Sequence, residues 1–413
     1  MSAQSPAVRT LRTASSALTG ELADVAAKLV YFVSPDITHV RCASPGLLEI
    51  DLDARTGEAA AAKIEIDVAA LLARLGAGHR PLPPRRLFER RASSSSFVDG
   101  RIQGGEALTA HLVEAGWARC QSSGAYAFGP RFVALVEAID ARLRRLASGP
   151  LGAHERSFPP LISADALHRA GYFASFPQSV SFVSHLPQRL DAIERFRDEN
   201  ARSPRFVLSP ECMPGAPAEC LPPAVCYHRF HELEGESVAR GSIITARGAC
   251  FRYEARHNMR DLSRLWCFQM REIVYAGNES FVRDVAARSA RALEELAHDL
   301  DLAGVCETAS DPFFADVLIE KRYAQLAHDR KLELRVPLGG GETLAVASIN
   351  THEDFFARAF AIRGAQGSPT ISGCMAFGLE RLAFGFLARH GLDESAWPAS
   401  IAAAIAERAH ELR

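Results

Sequence analysis

The sequence concentrates side chains suited to ligand chemistry in two neighbouring runs, 251–254 and 266–275. Both runs alternate as β-strands do, and the charged segment between them predicts a hairpin loop. The side chains that this spacing directs to a common surface are Arg252, Glu254, Phe268 and Glu272. A cation, two carboxylates and an aromatic ring suit a nucleotide together with an amine. A half-buried hairpin with a polar outer face fits the same pattern, and the pattern alone favours it.

The nine cysteines are odd in number and spread along a chain of 413 residues. This usage favours reduced thiols of a cytoplasmic protein, some of them metal ligands, over a disulfide framework. Because the sequence has no CxxC pair, any metal site must be assembled from distant positions. From spacing alone, Cys226 and Cys374 are better interpreted as buried free thiols.

Two arginines, Arg252 and Arg381, are suited to binding phosphate groups, because a guanidinium holds planar anions with two parallel hydrogen bonds. The chain has neither a P-loop nor a GxGxxG run after a strand, which argues against Walker and Rossmann nucleotide sites. Arginines on separate elements can instead neutralise a triphosphate, since nucleotidyl transfer depends mainly on positioning and charge stabilisation.

The composition is that of an ordinary soluble globular protein, with 48% hydrophobic and 23% charged residues. A net charge of -2 provides no positive electrostatic field to attract nucleic acid, which argues against a general RNA or DNA binder. No apolar run approaches the roughly 20 residues that span a bilayer, and residues 1–20 lack the apolar core of a signal peptide. We therefore expect a cytoplasmic protein without a membrane segment.

Composition and element patterns divide the chain into three regions. These are a small α+β module at 1–80, a Pro-, Arg- and Ser-rich linker at 81–104, and a large domain at 105–413. Strand patterns dominate the large domain and helices flank them, which predicts an α+β fold with an antiparallel or mixed sheet. Residues 224–230 are predicted as a strand, and 280–300 and 312–330 as helices. The residue pattern of the small module does not indicate a chemical function.

Three motifs resemble those of the class II aminoacyl-tRNA synthetases. FRYE at 251–254, FQMRE at 268–272 and GCMAFGLER at 373–381 resemble motifs 2 and 3 of that class, in particular of the zinc-dependent, archaeal-type seryl-tRNA synthetases. With CYH at 226–228 and SDPFF at 310–314, the large domain also resembles the bacterial amino acid:[carrier protein] ligases. These are truncated synthetase homologues that load an amino acid onto a phosphopantetheinylated carrier protein.

The resemblance implies a role in ATP binding for four residues of these motifs. Arg252 would hold the α-phosphate and Glu254 the adenine amino group. Phe268 would stack on adenine, and Arg381 would hold the γ-phosphate. Arg252, Glu254 and Arg381 are thus the expected catalytic residues.

The resemblance also implies Mg²⁺ bound with ATP, held in the synthetases by a glutamate and a serine three residues later. Ser348 matches the serine, but Ala345 stands where the glutamate is expected. Glu342 is close in sequence, so an altered magnesium site is one interpretation.

Cys226, Glu272 and Cys374 match the zinc ligands of the family. Two thiolates and one carboxylate leave a fourth tetrahedral position open, which is typical of a catalytic zinc. The resemblance implies that the unprotonated amine of the amino acid takes this position.

The helix predicted at 312–330 matches the ligase pattern and would dock the carrier protein. Lys321, Arg322 and Arg330 on it would suit an acidic partner, and a solvated helix face is the alternative interpretation.

The resemblance as a whole implies a homodimeric ligase that activates glycine or alanine as an aminoacyl-adenylate. It would then transfer the aminoacyl group to the phosphopantetheine thiol of an acyl carrier protein. A seryl-tRNA synthetase is the first alternative, although residues 1–80 are too short and insufficiently basic for a tRNA-binding appendage. The second is a synthetase paralogue without activity that acts as a sensor or binding module.

Overall fold

The computed structural model of the chain describes residues 9–15, 18, 21–76, 83–91, 93–94, 96–98, 102–213, 215–309, 330–365 and 370–411. The predicted helix at 312–330, apart from its last residue, and the SDPFF run lie outside the described residues. No helix in these ranges is both long and apolar enough to cross a membrane.

The described residues between 9 and 76 form a small α+β unit, which we call the N-terminal module. Its elements are β1 (Arg9–Ala14), α1 (Glu21–Val30), β2 (Ile37–Ser44), β3 (Leu47–Leu52) and α2 (Glu58–Gly76). The strands pair antiparallel in the order β1-β3-β2. Leu48, Ile50 and Leu52 alternate with half-exposed residues along β3, so one face of the sheet packs against the helices. The module therefore has a hydrophobic core of its own.

The large domain contains the remaining elements. In chain order these are β4 (Arg86–Arg90), α3 (Gly104–Glu114), β5 (Ala118–Ser122), β6 (Ala125–Phe128), α4 (Pro130–Ser148), β7 (His154–Arg156), β8 (Ile162–Ser163), α5 (Ala164–Arg169), α6 (Tyr172–Ser175), β9 (Phe182–Val183), α7 (Leu190–Arg202), β10 (Glu219–Cys220), α8 (Cys226–Glu232), β11 (Ser242–Phe251), β12 (Cys267–Gly277), α9 (Glu279–Asp299), β13 (Gly304–Thr308), β14 (Lys331–Gly339), β15 (Glu342–Glu353), α10 (Phe355–Ala359), β16 (Ile371–Gly378), α11 (Leu379–His390) and α12 (Ala399–Glu411).

An eight-stranded sheet forms the centre of this domain, in the order β4-β13-β14-β15-β16-β12-β11-β7. Adjacent strands of this sheet pair antiparallel, except that β7 lies parallel to β11 at one edge. The predicted α+β class is confirmed, and the sheet is mixed because of this single edge strand.

The two faces of the sheet pack against different helices because strand side chains alternate between them. On one face, Ile273 of β12 and Phe377 of β16 join a large core with α4, α9 and α11. On the other, Val274 and Cys374 join a second cluster with α5, α8 and α10. The candidate site lies on this second face.

Arg271 of β12 points to the α4 face and is only 2% exposed. Its guanidinium donates to Asp140 of α4 at 3.0 Å and to Glu155 of β7 at 3.0 Å. A buried charge is tolerated only when paired and hydrogen-bonded, and the two carboxylates meet both conditions.

Two structural predictions need correction. Within the predicted linker, 86–90 forms an edge strand, because the alternating RLFER run pairs with β13 and places Phe88 against the core. Residues 224–230, predicted as a strand, contribute most of helix α8 instead. The predicted helix at 280–300 is confirmed as α9.

Candidate active site

The hairpin of β11 and β12 brings Arg252 and Phe268 together. β11 ends at Phe251, so the predicted strand at 251–254 is correct only at its first residue, and Arg252 follows it with its N–H donating to Trp266 O at 2.9 Å. The Arg252 guanidinium carbon lies 5.5 Å from the centroid of the Phe268 ring, a cation–π distance. Its Nε donates to the carbonyl oxygen of Pro223 at 2.8 Å, which fixes the side chain.

Cys226, Glu272 and Cys374 converge on the same face of the sheet. One ligand atom from each lies within 4.8 Å of the others, and all three residues are buried. Three elements supply them: α8, β12 and β16. Within the described residues this is the one group of three or more potential metal ligands.

Glu272 also holds the first residues of α8 in place. Its Oε2 accepts from Cys226 N at 2.9 Å and its Oε1 from Val225 N at 3.3 Å. Backbone N–H groups at a helix start have no partner within the helix, so a carboxylate stabilises them. The same carboxylate thus positions Cys226 beside it.

Three buried acids side by side perturb one another's ionisation. Burial, with the nearby Cys374 thiolate, raises the pKa of Glu272 to about 8. The hydrogen bond between the two thiols raises the pKa of Cys226 and lowers that of Cys374. Crowded anions of this kind are stabilised by a cation between them.

Two polar side chains of β15 support the Cys374 sulfur. Asn350 Nδ2 donates to Sγ at 3.5 Å, and His352 Nε2 lies 3.6 Å from it. His352 Nδ1 is 3.2 Å from Ser372 Oγ, and its ring packs edge-on against Phe230 and Phe356. Such partners orient a ligand and hold it ready for a metal.

The donor set fits a zinc ion. Thiolate sulfur and carboxylate oxygen are zinc ligands, and a group of three is typical of zinc sites that keep a coordination position for substrate. The spacing within 4.8 Å and the burial of all three side chains agree with this chemistry.

Glu254 and Arg381 meet at the other end of the site. Arg264 donates to Glu254 at 2.6 Å, and Arg381 lies 3.8 Å from its second oxygen. Although burial opposes ionisation, these two arginines lower the pKa of Glu254 to about 2. Arg381 Nε also donates to the carbonyl oxygen of Ser263 at 2.8 Å. Glu254 is therefore an ionised acceptor at physiological pH.

Ser348 of β15 lies directly opposite Glu333 of β14, and both face the site side of the sheet. Glu333 contacts Lys331 at 2.9 Å and Arg335 at 3.0 Å. Glu342 lies at the start of β15, where its Oε2 accepts from Gly105 N at 2.9 Å at the beginning of α3. Six residues of strand, about 20 Å, separate Glu342 from the serine, so it does not substitute for the expected glutamate.

Of the three residues expected to dock the carrier protein, only Arg330 is among the described residues. Lys321 and Arg322 lie outside the described residues. Arg330 is not helical: it directly precedes β14, its carbonyl oxygen accepts from Thr351 N at 2.8 Å, and its Nε is 3.6 Å from Glu353.

Sequence reasoning missed Glu333, Asn350 and His352. A weak signal existed for Asn350, since it shares strand spacing with Ser348. His352 continues the same spacing on β15, so the same weak signal existed for it. Glu333 joins the site through pairing between β14 and β15, a relation that cannot be read from local sequence.

Glu380, at the start of α11, predicts a pH-dependent stability. Burial raises the pKa of its carboxyl from 4.5 to about 7, although it accepts from Gln269 N at 2.9 Å. Between these values the native state binds more protons than the unfolded chain, so stability falls as pH rises. From about pH 5 to about pH 8 we expect wild type to lose about 2–3 kcal/mol relative to Glu380→Gln.

Urea unfolding of both proteins at several pH values measures the difference in their free energies of unfolding. The contributions of titratable groups that both proteins share cancel in this difference. A free-energy difference that is constant with pH would contradict the prediction.

Comparison with curated proteins identifies relatives of two kinds. The chain is 34% identical over 298 residues to amino acid--[acyl-carrier-protein] ligase 1 of Bradyrhizobium diazoefficiens, covering 70% of this chain and 87% of the relative. It is 28% identical over 327 residues to the type-2 serine--tRNA ligase of Methanothermobacter thermautotrophicus, covering 76% of this chain and 62% of that protein. No protein-family model matches the chain.

Among solved structures, the seryl-tRNA synthetase of M. kandleri, in a complex with A. aeolicus tRNASec, superposes with a TM-score of 0.66 at 22% identity. The superposition covers 91% of this chain and 74% of that one. At this identity the likeness establishes the class II synthetase fold.

Proposed function

We infer, because this chain belongs to the amino acid--[acyl-carrier-protein] ligase family, that it activates a small amino acid with ATP and passes it to a carrier protein. The amino acid carboxylate would attack the α-phosphate, forming an aminoacyl-adenylate and releasing pyrophosphate. The phosphopantetheine thiol would then attack the activated carbonyl, forming a thioester and releasing AMP.

One observation carries this proposal: a buried Cys–Glu–Cys cluster shares a sheet face with the Arg252–Phe268 pair. Phe268, Met270 and Glu272 occupy alternate positions of β12, so one strand faces both groups. A bound amine at the cluster would therefore have its carboxylate close to a nucleotide held by the hairpin.

Cys226, Glu272 and Cys374 would hold zinc, and Asn350 and His352 would orient the Cys374 thiolate. When bound, zinc supplies a Lewis acid that selects an unprotonated amine. His352 lies beside Cys374, and the rings of Phe230 and Phe356 pack against it. These large side chains support a small substrate side chain, such as that of glycine or alanine.

At the nucleotide end, Arg252 would bind the α-phosphate, with Phe268 against the adenine ring. Glu254, ionised at neutral pH, would accept a hydrogen bond from the adenine amino group. Arg381 would bind the γ-phosphate, since arginine on a helix start adds a fixed positive charge where the triphosphate ends.

Ser348 and Glu333 would bind Mg²⁺ with ATP. A carboxylate opposite the serine compensates for Ala345, because Mg²⁺ requires oxygen ligands but not a particular strand. We expect Glu333→Gln to raise the Mg²⁺ concentration for half-maximal activity about tenfold or more, measured by pyrophosphate exchange at fixed ATP.

Glu307→Gln, on the neighbouring strand β13 and opposite Glu333, is the matched control and should leave the Mg²⁺ requirement unchanged. An unchanged requirement in Glu333→Gln would exclude this carboxylate as a ligand.

The partners follow from the same family. A phosphopantetheinylated acyl carrier protein would be the acceptor, docking on Lys321, Arg322 and Arg330, and the enzyme would act as a homodimer without tRNA. The names of the ligase relatives support the acceptor.

The decisive experiment is ATP–pyrophosphate exchange with each of the twenty amino acids, followed by transfer of the labelled amino acid to holo carrier protein. Exchange with glycine or alanine and a carrier-bound thioester would support the proposal. Serine-dependent exchange with charging of tRNASer, and no carrier loading, would favour a seryl-tRNA synthetase. No exchange with any amino acid would indicate a paralogue without activity.

A further inference from the structure

Residues 255–264, within the segment that joins β11 to β12, contact the N-terminal module directly. We call these residues the hairpin loop. Its first residue follows Glu254, the proposed adenine acceptor, and its last is Arg264, which donates to Glu254 at 2.6 Å. Strand β2 of the module packs against the helical turn Arg256–Asn258 in the loop. The module therefore lies against the nucleotide end of the site.

Ala255 is buried within the hydrophobic core of the N-terminal module, although it belongs to the large domain. It is 6% exposed, in a cluster whose other buried members all come from the module. Its backbone has φ 64° and ψ 140°, a region that residues with a side chain rarely adopt. Such a conformation persists only where the surrounding contacts impose it. Here the module contributes those contacts.

Tyr31, directly after α1, provides the polar contact to the loop. Its hydroxyl accepts from Arg260 at 3.2 Å and from Val40 N at 2.9 Å, so β2 fixes the tyrosine while the tyrosine holds the loop. Arg260 also lies 3.4 Å from Glu106 of α3. The hairpin loop is thus held between the module and the large domain.

Lys28, in the last turn of α1, contributes charge. It is among the cations that lower the pKa of Glu254. The N-terminal module therefore makes an apolar contact with Ala255 and a hydrogen bond with Arg260, and its Lys28 acts electrostatically on Glu254.

We propose that the N-terminal module is a positioning element for the nucleotide site, with Tyr31 and the pocket around Ala255 presetting the hairpin loop and hence Glu254. This role rests on the proposed function of Glu254 in binding ATP. A preset loop avoids the entropy cost of ordering it when ATP binds, so the effect falls on ATP affinity. The contacts that carry this role involve Tyr31, Ala255 and Arg260 rather than Cys226 or Cys374, so we expect metal binding to be independent of it.

A double-mutant cycle on the full-length protein tests the polar contact. Tyr31→Phe and Arg260→Met should each raise the KM for ATP about fivefold in pyrophosphate exchange, with kcat, the KM for the amino acid and zinc content unchanged. The double variant should be less impaired than the sum of the two single effects, because both variants remove the same Tyr31–Arg260 hydrogen bond. Lys63→Met, on the exposed face of α2, is the control and should behave as wild type.

Ala255→Gly tests the apolar contact without disturbing the fold of the module. Glycine accepts φ 64° freely, so thermal stability should be retained or rise, whereas the loss of the methyl group frees the loop. Deuterium exchange of peptides covering 255–264 should become faster and the KM for ATP should rise. Increased stability with weaker ATP binding is an outcome that general damage would not produce.

Additive effects in the cycle, or unchanged ATP KM and unchanged loop exchange in Ala255→Gly, would overturn the positioning role. If wild type shows no exchange with any amino acid, the proposed function fails. In that case, deuterium exchange of the hairpin loop in Tyr31→Phe and Ala255→Gly still tests whether the N-terminal module keeps this loop ordered.

Discussion

Replacing Cys374 with serine is expected to abolish stable zinc binding and to lower amino-acid-dependent pyrophosphate exchange by at least about a hundredfold. Serine is almost isosteric but its hydroxyl does not ionise near neutral pH, so it removes a soft anionic ligand while conserving shape. Asn350 and His352, which contact the sulfur, would lose the anion that they orient. Metal content by atomic absorption and exchange kinetics on the same preparation measure both effects.

Cys306→Ser is the matched control, because Cys306 is equally buried but lies in the core on the opposite face of the sheet. It should lower thermal stability while zinc content and substrate KM values remain those of wild type. A Cys374→Ser protein that retained zinc and full activity would refute the metal assignment, whatever its stability.

Replacing Arg381 with alanine is expected to lower kcat/KM for ATP by about a hundred- to a thousandfold while zinc content remains normal. The guanidinium lies between the Ser263 carbonyl and Glu254, so its loss removes a fixed cation and leaves Glu254 with Arg264 as its remaining close arginine. A lysine at this position should recover only part of the activity, because an ammonium group lacks the planar pair of donors.

Arg389→Ala supplies a control on the same helix. Arg389 is buried, and it pairs with Asp301 at the other end of α11. Its replacement should reduce stability without altering the KM for ATP. Equal losses of kcat/KM in both variants would mean that Arg381 acts only through the fold.

The strand β12 could be predicted because it depends on a local pattern. Alternation along β12 places Phe268 and Glu272 on one face whatever the rest of the fold does. The motif around Arg381 likewise combines a strand and a helix start within nine residues of sequence, 373–381.

The conformation around Cys226 could not be predicted because it depends on a distant partner. The apolar run at 224–230 fits a strand by composition. It becomes helical where Glu272, 46 residues later, accepts the N–H group of Cys226. Tertiary hydrogen bonding therefore overrides local preference at a ligand of the proposed metal site.

Glu333 illustrates a second limit of prediction from the sequence. The sequence draws attention to Ala345 on the same strand as Ser348, whereas the available carboxylate lies across the sheet on β14. Strand order is a property of the whole domain, so a ligand supplied by a neighbouring strand leaves no spacing to recognise. The edge strand β4 shows the same limit, because its pairing with β13 leaves no signal in the Pro-, Arg- and Ser-rich sequence around it.

The opposite directions of Arg271 and Glu272 have a consequence for folding fidelity. Shifting β12 by one residue against its neighbours would send every side chain to the other face. In one direction the shift would put Arg271 in the place of Glu272 beside Cys226 and Cys374. In the other direction it would put Glu272 in the place of Arg271, next to Asp140 and Glu155. The misaligned sheet would lose a buried ion pair and bring like charges together. Adjacent residues of opposite charge thus protect this strand against mispairing.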